Sequence, residues 1–281
     1  MPEAASEKRD QIEIVGRNFP SGNFRAAIFD FDGTLSLIRR NWQDVMIPMM
    51  VDILTATGTR ETRQQLHDHV ENYVMRLNGR QTIYQMMQLA EEVEKRGQQP
   101  LAAIDYKNQY HDLLWVKVSA RIEALQMGQL TQEELTVPGS RPLLSALAQQ
   151  NLTLYLASGT DLHYVQQEVE LLRLSSFFGS RIYGALPDYE RFSKAMIVEK
   201  IIGRTGVDGD QLVGFGDGFV EIEEVKKVGG LAIGVASDEN NRRGINPWKR
   251  DRLIRAGADI IIGDYQCCEE LLELIGLNQA L

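Results

Sequence analysis

The run from Phe24 to Leu35 reads FRAAIFDFDGTL, an apolar stretch that meets two aspartates, Asp30 and Asp32, with Gly33 and Thr34 directly behind. Side chains two apart on an extended segment face the same way, so the two carboxylates converge while Phe31 packs behind them. Carboxylates that close repel, and a hard divalent cation such as magnesium relieves the repulsion with oxygen ligands. Gly33 frees the backbone to turn tightly and expose amide hydrogens to an anion. Read alone, the pair is equally a capped turn with two solvated acids.

Three further stretches carry compatible chemistry. LYLASGTD ends an apolar run at Ser158, followed by Gly159, Thr160 and a helical pattern. A hydroxyl with free amides at a helix N-terminus suits a phosphate, although a plain helix cap has the same look. FGDGFVEIEE ends another run at Asp217, with Glu221 one helical turn on. Those two can share a face and complete a metal site with Asp30, or can simply be the acidic start of a helix. Lys194 opens the helical stretch SKAMIVEKII, and a lysine beside such a crevice neutralises a nucleophile and a transferring phosphoryl group. Glu223, Glu224 and Lys200 read as solvated.

The elements that must position these residues are legible as short apolar runs. Arg25 to Phe31, Leu152 to Ser158, Leu212 to Asp217, Leu231 to Ala236 and Ala258 to Asp264 fit parallel strands buried on both faces, with helical patterns between most of them. This alternation predicts a doubly wound parallel α/β sheet, whose functional crevice lies at the carboxyl ends of the strands. Ile12 to Val15 adds a short peripheral strand. Between about Leu37 and Val137 no strand pattern occurs, and Gly58, Gly79, Gly97 to Pro100 and Gly128 punctuate the stretch into about four helices. That is too long for a crossover and predicts an inserted all-helical domain over residues 37–137, with the α/β core in 1–36 and 138–281 and residues 1–22 as a peripheral extension.

The order and context of the four elements resemble the haloacid dehalogenase superfamily. Its motifs appear as Asp30-Phe31-Asp32-Gly33-Thr34, then Ser158, then Lys194, then Gly216-Asp217-Gly218 with Glu221, and its helical cap falls where the insertion lies. The branch most similar in organisation is that of phosphoglycolate phosphatase and β-phosphoglucomutase. The resemblance implies a Rossmann-like core and a nucleophilic Asp30 that forms an aspartyl-phosphate, with Asp32 as acid and then base. It further implies Mg2+ held by Asp30, the backbone carbonyl of Asp32 and Asp217, with Glu221 on the metal through water or orienting Asp217. Gly33, Thr34, Ser158, Gly159 and Lys194 would bind the phosphoryl oxygens. Arg80, in the loop RLNGRQTIYQM, is the cap residue expected to reach the substrate's leaving group. Family members often carry an aspartate where this chain has Glu221, which leaves the ligand distance open.

The implied function is a magnesium-dependent phosphatase of a small phosphorylated metabolite, a sugar phosphate or a phosphorylated small acid. A phosphomutase needs the same Asp30 and Asp32, and a catalytically idle phosphate-binding or regulatory protein keeps the same fold. A dehalogenase would have no use for the Asp217 metal site. The formal charge of −9 over 281 residues argues against a general nucleic-acid or membrane-surface binder. The adjacent Cys267 and Cys268 are a poor basis for a disulfide and point to a reducing compartment. The polar N-terminus, with no apolar signal-type stretch, points to a cytoplasmic protein. His67 and His69 stand on opposite sides of a helix and cannot grip one metal, the methionines of the insertion read as helix packing, and the basic run from Arg242 to Arg252 receives no role.

Overall fold

The computed structural model describes residues 11–277, so the polar N-terminal stretch read above lies outside the described residues. The chain divides into two compact units, one joining the chain up to Arg40 with Leu130 onward, the other Asn41–Gln129.

The first unit is built on a seven-stranded sheet in the order β1-β7-β6-β5-β2-β3-β4. Its strands are β1 (Ile12–Ile14), β2 (Ala26–Phe29), β3 (Thr153–Asp161), β4 (Ile182–Ala185), β5 (Leu212–Gly216), β6 (Leu231–Val235) and β7 (Ile260–Ile262). All neighbours run parallel except β1, which closes one edge antiparallel to β7. β2, β5, β6 and β7 are buried along their whole length, which is why their sequences read as unbroken apolar runs. β2 lies between β3 and β5 with Ile28 level with Tyr155 and Gly214, so three strand ends reach the same edge. Phe29 stacks on Phe215 at 4.5 Å and meets Phe178 edge-on at 6.3 Å, a rigid floor immediately behind the residue that follows.

β4 has no counterpart among the runs read from the sequence. RIYGA at the sheet edge is half-buried at Ile182 and Tyr183 and interrupted by Gly184, so it lacks the continuous apolar signature. β3 also runs further than its sequence suggests. It continues through Ser158, Gly159 and Thr160 to Asp161, with a register shift against β4 between Ala157 and Asp161, and the helix begins only at Leu162. Ser158 therefore stands in an irregular strand end and not at a helix N-terminus.

The helices of this unit that position the site are α5 (Ser140–Gln149), α6 (Leu162–Leu171), α8 (Lys194–Thr205), α9 (Phe219–Lys227) and α10 (Pro247–Arg255); the short α7 (Ser175–Phe178) and α11 (Cys268–Leu274) complete it. The second unit is four helices, α1 (Gln43–Thr55), α2 (Arg63–Arg76), α3 (Thr82–Lys95) and α4 (Ala103–Gln126). Its core includes Met46, Met50, Leu54, Leu66, Val70, Val74, Met86 and Leu89, all essentially buried. A capping box in which Thr62 and Gln65 satisfy each other's amides starts α2. Among the described residues no helix is long and apolar enough to cross a membrane.

Candidate active site

β2 delivers Asp30 to the crevice, and the Asp30 amide still donates to the Phe215 carbonyl at 2.9 Å, so the residue is held as firmly as the strand. Its side chain is buried and its Oδ1 lies 3.0 Å from Lys194 Nζ. Lys194 is the first residue of α8, placed there by the Ser193 hydroxyl, which accepts from the Met196 amide at 3.2 Å. The same ammonium pairs with Glu221 Oε1 from α9. Glu221 can come this close because residue 216 is glycine, where a Cβ would meet the Glu221 Cβ at 2.8 Å.

Asp32 has a different set of neighbours. Its Oδ2 accepts from the Thr160 hydroxyl at 2.8 Å and from the Ser158 hydroxyl at 3.3 Å, while the Thr160 amide donates to Ser158 Oγ at 3.0 Å. The buried Asp32 Oδ1 has no hydrogen-bond partner among the described residues. Burial pushes this carboxyl up to about 7, with Arg39 pulling down, Glu168 and Asp30 pushing up, and the Thr160 bond pulling down. Arg39 follows β2 and donates from Nε and Nη2 to Glu168 Oε1 at 3.0 and 2.7 Å, a buried ion pair whose guanidinium also lies over the Tyr164 ring.

Asp217 follows directly on β5, on the other side. Its amide donates to the Thr34 hydroxyl at 3.0 Å, tying two strand ends together, and the Thr34 carbonyl accepts from Tyr265 at 3.0 Å. Gly33 has φ of 75° and a Cβ there would stand 2.4 Å from Asp217 Oδ2, so both the turn and the close approach require glycine. Asp217 Oδ2 is bound at 2.9 Å by Lys249 Nζ, which also reaches Glu239 at 2.7 Å. Burial works against the Lys249 charge, but Asp217 and Glu239 more than offset it and hold the ammonium above its ordinary range.

Among the described residues no group of three or more histidine, cysteine, aspartate or glutamate side chains is arranged to hold a metal. A hard cation bound by two carboxylates, a backbone carbonyl and water needs no such triplet. Asp30 and Asp217 are near enough for the charge of one to act on the other, and every candidate donor beside them is oxygen. That donor set fits magnesium.

The profile of the haloacid dehalogenase-like hydrolases matches residues 24–229, most of the chain, and takes in Asp30, Asp32, Ser158, Lys194, Asp217 and Glu221. The protein is a haloacid dehalogenase-like hydrolase. Solved structures agree on the fold. A family IA, variant 3 hydrolase of Entamoeba histolytica is 20% identical with a TM-score of 0.58, covering 90% of this chain and 99% of its own. A predicted phosphoglycolate phosphatase of Haemophilus somnus is 17% identical with a TM-score of 0.56, covering 90% and 98%. A Thermotoga maritima protein carrying the provisional name β-phosphoglucomutase is 20% identical with a TM-score of 0.52, covering 89% and 100%. No curated protein matches.

Within this hydrolase, Asp30, Asp32, Gly33, Ser158, Lys194, Asp217 and Glu221 gather at the carboxyl edge of the sheet, each placed by a strand end or by the first turns of a helix. Thr34 is fully buried with its hydroxyl on the Asp217 amide. Arg80 lies in the turn between α2 and α3 of the helical unit, exposed, with its guanidinium 6.0 Å from the Tyr84 ring. Thr160, the Arg39–Glu168 pair, Ser237, Glu239 and Lys249 escaped the sequence reading. Lys249 belongs to the basic run from Arg242 to Arg252, where Arg250 instead pairs with Glu13 and Arg252 covers Trp248. Among the described residues neither Cys267 nor Cys268 is in a disulfide, and Cys267 is buried.

Proposed function

We propose that this hydrolase is a magnesium-dependent phosphomonoesterase acting on a small phosphorylated metabolite, a sugar phosphate or a phosphorylated small acid. The observation that carries the proposal is the unlike treatment of two neighbouring aspartates. Asp30 is paired with an ammonium and is placed as the nucleophile, whereas Asp32 is held by hydroxyls and its carboxyl is pushed up to about 7, where it can carry a proton at neutral pH.

In this reading an Asp30 oxygen attacks phosphorus and an aspartyl-phosphate forms as the bond to the leaving oxygen breaks. Asp32 gives that oxygen its proton. Asp32, now a carboxylate, then takes a proton from the water that attacks the acyl phosphate, and phosphate leaves with Asp30 restored. Lys194, the Ser158 hydroxyl and the amides of Gly33 and Gly159 hold the equatorial phosphoryl oxygens. Thr34 shapes that cradle from behind. Magnesium would be held by Asp30, the Asp32 carbonyl and Asp217, and when bound it shields the nucleophile from the anionic substrate. Glu221, engaged with Lys194, orients that lysine and stands behind the metal ligands. Arg80 is proposed as the substrate-selecting residue of the helical unit, and a cytoplasmic location belongs to the same proposal.

The test is phosphate release from a panel of phosphorylated metabolites with magnesium, with EDTA, and with Asp30→Asn. Release that depends on magnesium and disappears in both controls supports the reading. Transfer to a second position of the substrate in the presence of a bisphosphate activator would assign a mutase instead. Silence across the panel, with phosphate still bound, would mark a binding protein.

A further inference from the structure

The phosphatase reading leaves Lys249 without a task. It stands in the first turn of α10, after the Asn246 cap and Pro247, where the helix dipole disfavours a cation. Its neighbour Arg250 is 37% exposed, as a residue of a basic surface run should be, whereas the Lys249 side chain is only 7% exposed. A buried ammonium must be paired, and this one is paired completely. Its three hydrogens meet Asp217 Oδ2 at 2.9 Å, Glu239 Oε1 at 2.7 Å and Ser237 Oγ at 3.1 Å. Ser237 in turn donates to the Gly33 carbonyl at 2.6 Å, which ties the cluster to the turn behind the acid pair. The two carboxylates share a small space, since a Cβ on Gly33 would stand 2.4 Å from Asp217 Oδ2 and 3.1 Å from Glu239 Oε1.

We infer that Lys249 is a positioning residue that sets which cation the site accepts, by holding one oxygen of Asp217 and tying Glu239 to itself, so that a divalent ion meets Asp217 without Glu239. The inference rests on the magnesium reading above and gives a task to Lys249 and Glu239, to which that reading assigns none. Magnesium is small, keeps most of its water and needs few protein carboxylates, while calcium takes six to eight oxygens and gains from each added carboxylate. Removal of the ammonium acts twice in the same direction for calcium. It takes away a positive charge beside the ion and removes the bond by which this lysine holds Glu239.

The experiment titrates the full chain with magnesium chloride and separately with calcium chloride by calorimetry, for wild type, K249M, E239Q and K249M/E239Q. Circular-dichroism melts verify the fold of each. Methionine keeps the length and apolar stem of the lysine. K249M is expected to raise calcium affinity relative to magnesium by about tenfold or more. E239Q should leave magnesium affinity within about threefold of wild type, and the double variant should lose most of the calcium gain. A calcium-to-magnesium ratio in K249M within about twofold of wild type overturns the inference. So does a loss of about tenfold in magnesium affinity in E239Q, which would make Glu239 a ligand in its own right. Should K249M fail to fold, that E239Q threshold alone decides. Wild type that binds neither ion removes the metal reading itself, and this inference with it.

Discussion

Two carboxylates in the two units have been taken out of water and have gone opposite ways. Asp32, in the α/β unit, is pushed up to about 7 by burial, with hydroxyls from Thr160 and Ser158 as its partners. Glu92, on α3 of the helical unit, feels burial too, yet bonds from Lys95, Arg96 and His69 more than reverse it and hold it at about 2. Burial alone does not decide what a buried acid is for. A lysine, an arginine and a histidine ring turn Glu92 into a knot that ties α2 to α3, with Arg96 extending it to Glu61. Hydroxyl partners, which suit either protonation state, leave Asp32 able to gain and lose a proton.

The comparison can be broken in descending order of effect. Asp30→Asn removes the nucleophile and is expected to lower phosphate release by about 10⁴-fold or more while the chain still melts cooperatively. Near-wild-type turnover in that variant would end the covalent scheme. Asp32→Asn should cost about 10³-fold on substrates with an alcohol leaving group and far less on an aryl phosphate, whose leaving oxygen needs no proton. Equal losses on both substrate types would deny Asp32 the role of acid.

Glu92→Gln should leave the chemistry intact and destabilise the helical unit by about 2 kcal/mol in urea unfolding at neutral pH. Because the folded carboxyl lies below its ordinary 4.5, its contribution is present above that value and lost as pH falls toward about 2, so wild type and variant should converge in acid. Asp32 has the opposite sign. Its folded carboxyl is raised from 3.8, so its stabilising contribution is present below that value and lost as pH rises through about 7. With EDTA present, Asp32→Asn should therefore gain about 3–4 kcal/mol on wild type between acid and pH 8, read from melting profiles. Arg80→Ala, the smallest effect, should raise KM by up to about tenfold on the best substrate with kcat held, and a fall in kcat alone would reject the selecting role.

The comparison also bears on how much could be read in advance. Five strands of the sheet and the four helices of the insertion announced themselves through uninterrupted apolar runs and through helical spacing punctuated by glycine. β4 did not, because an edge strand of four residues with a glycine and a half-exposed tyrosine carries too little apolar character. The acid pair, Lys194 and Asp217 were visible because each sits directly at the end of an apolar run or at a helix start after one. Ser237 and Glu239 follow β6 in the same manner and were passed over. Lys249 was hidden by the arginines around it, which make a buried lysine look like part of a solvated face. Its position was nonetheless a signal. Lys194 and Lys249 both stand in the first turn of a helix, against the dipole, and a cation there needs an anion to hold it. The Arg39–Glu168 pair left no trace, since its members are 129 positions apart and meet only in the folded chain.

Where the chain leaves the α/β unit and where it returns, the two passing segments pair. The Leu37 amide donates to Leu135 at 2.8 Å, the Val137 amide to Leu35 at 3.0 Å, and Ser36 bridges Thr136 antiparallel. To the sheet, everything between is a single loop whose mouth is already sewn shut. The entropy of closing such a loop grows only with the logarithm of its length, about 0.6 kcal/mol for each doubling. A stem of this kind lets the intervening module be lengthened, shortened or exchanged with little effect on the folding of the part that holds Asp30. The part that holds Asp30 and the helical module can then change on separate evolutionary clocks.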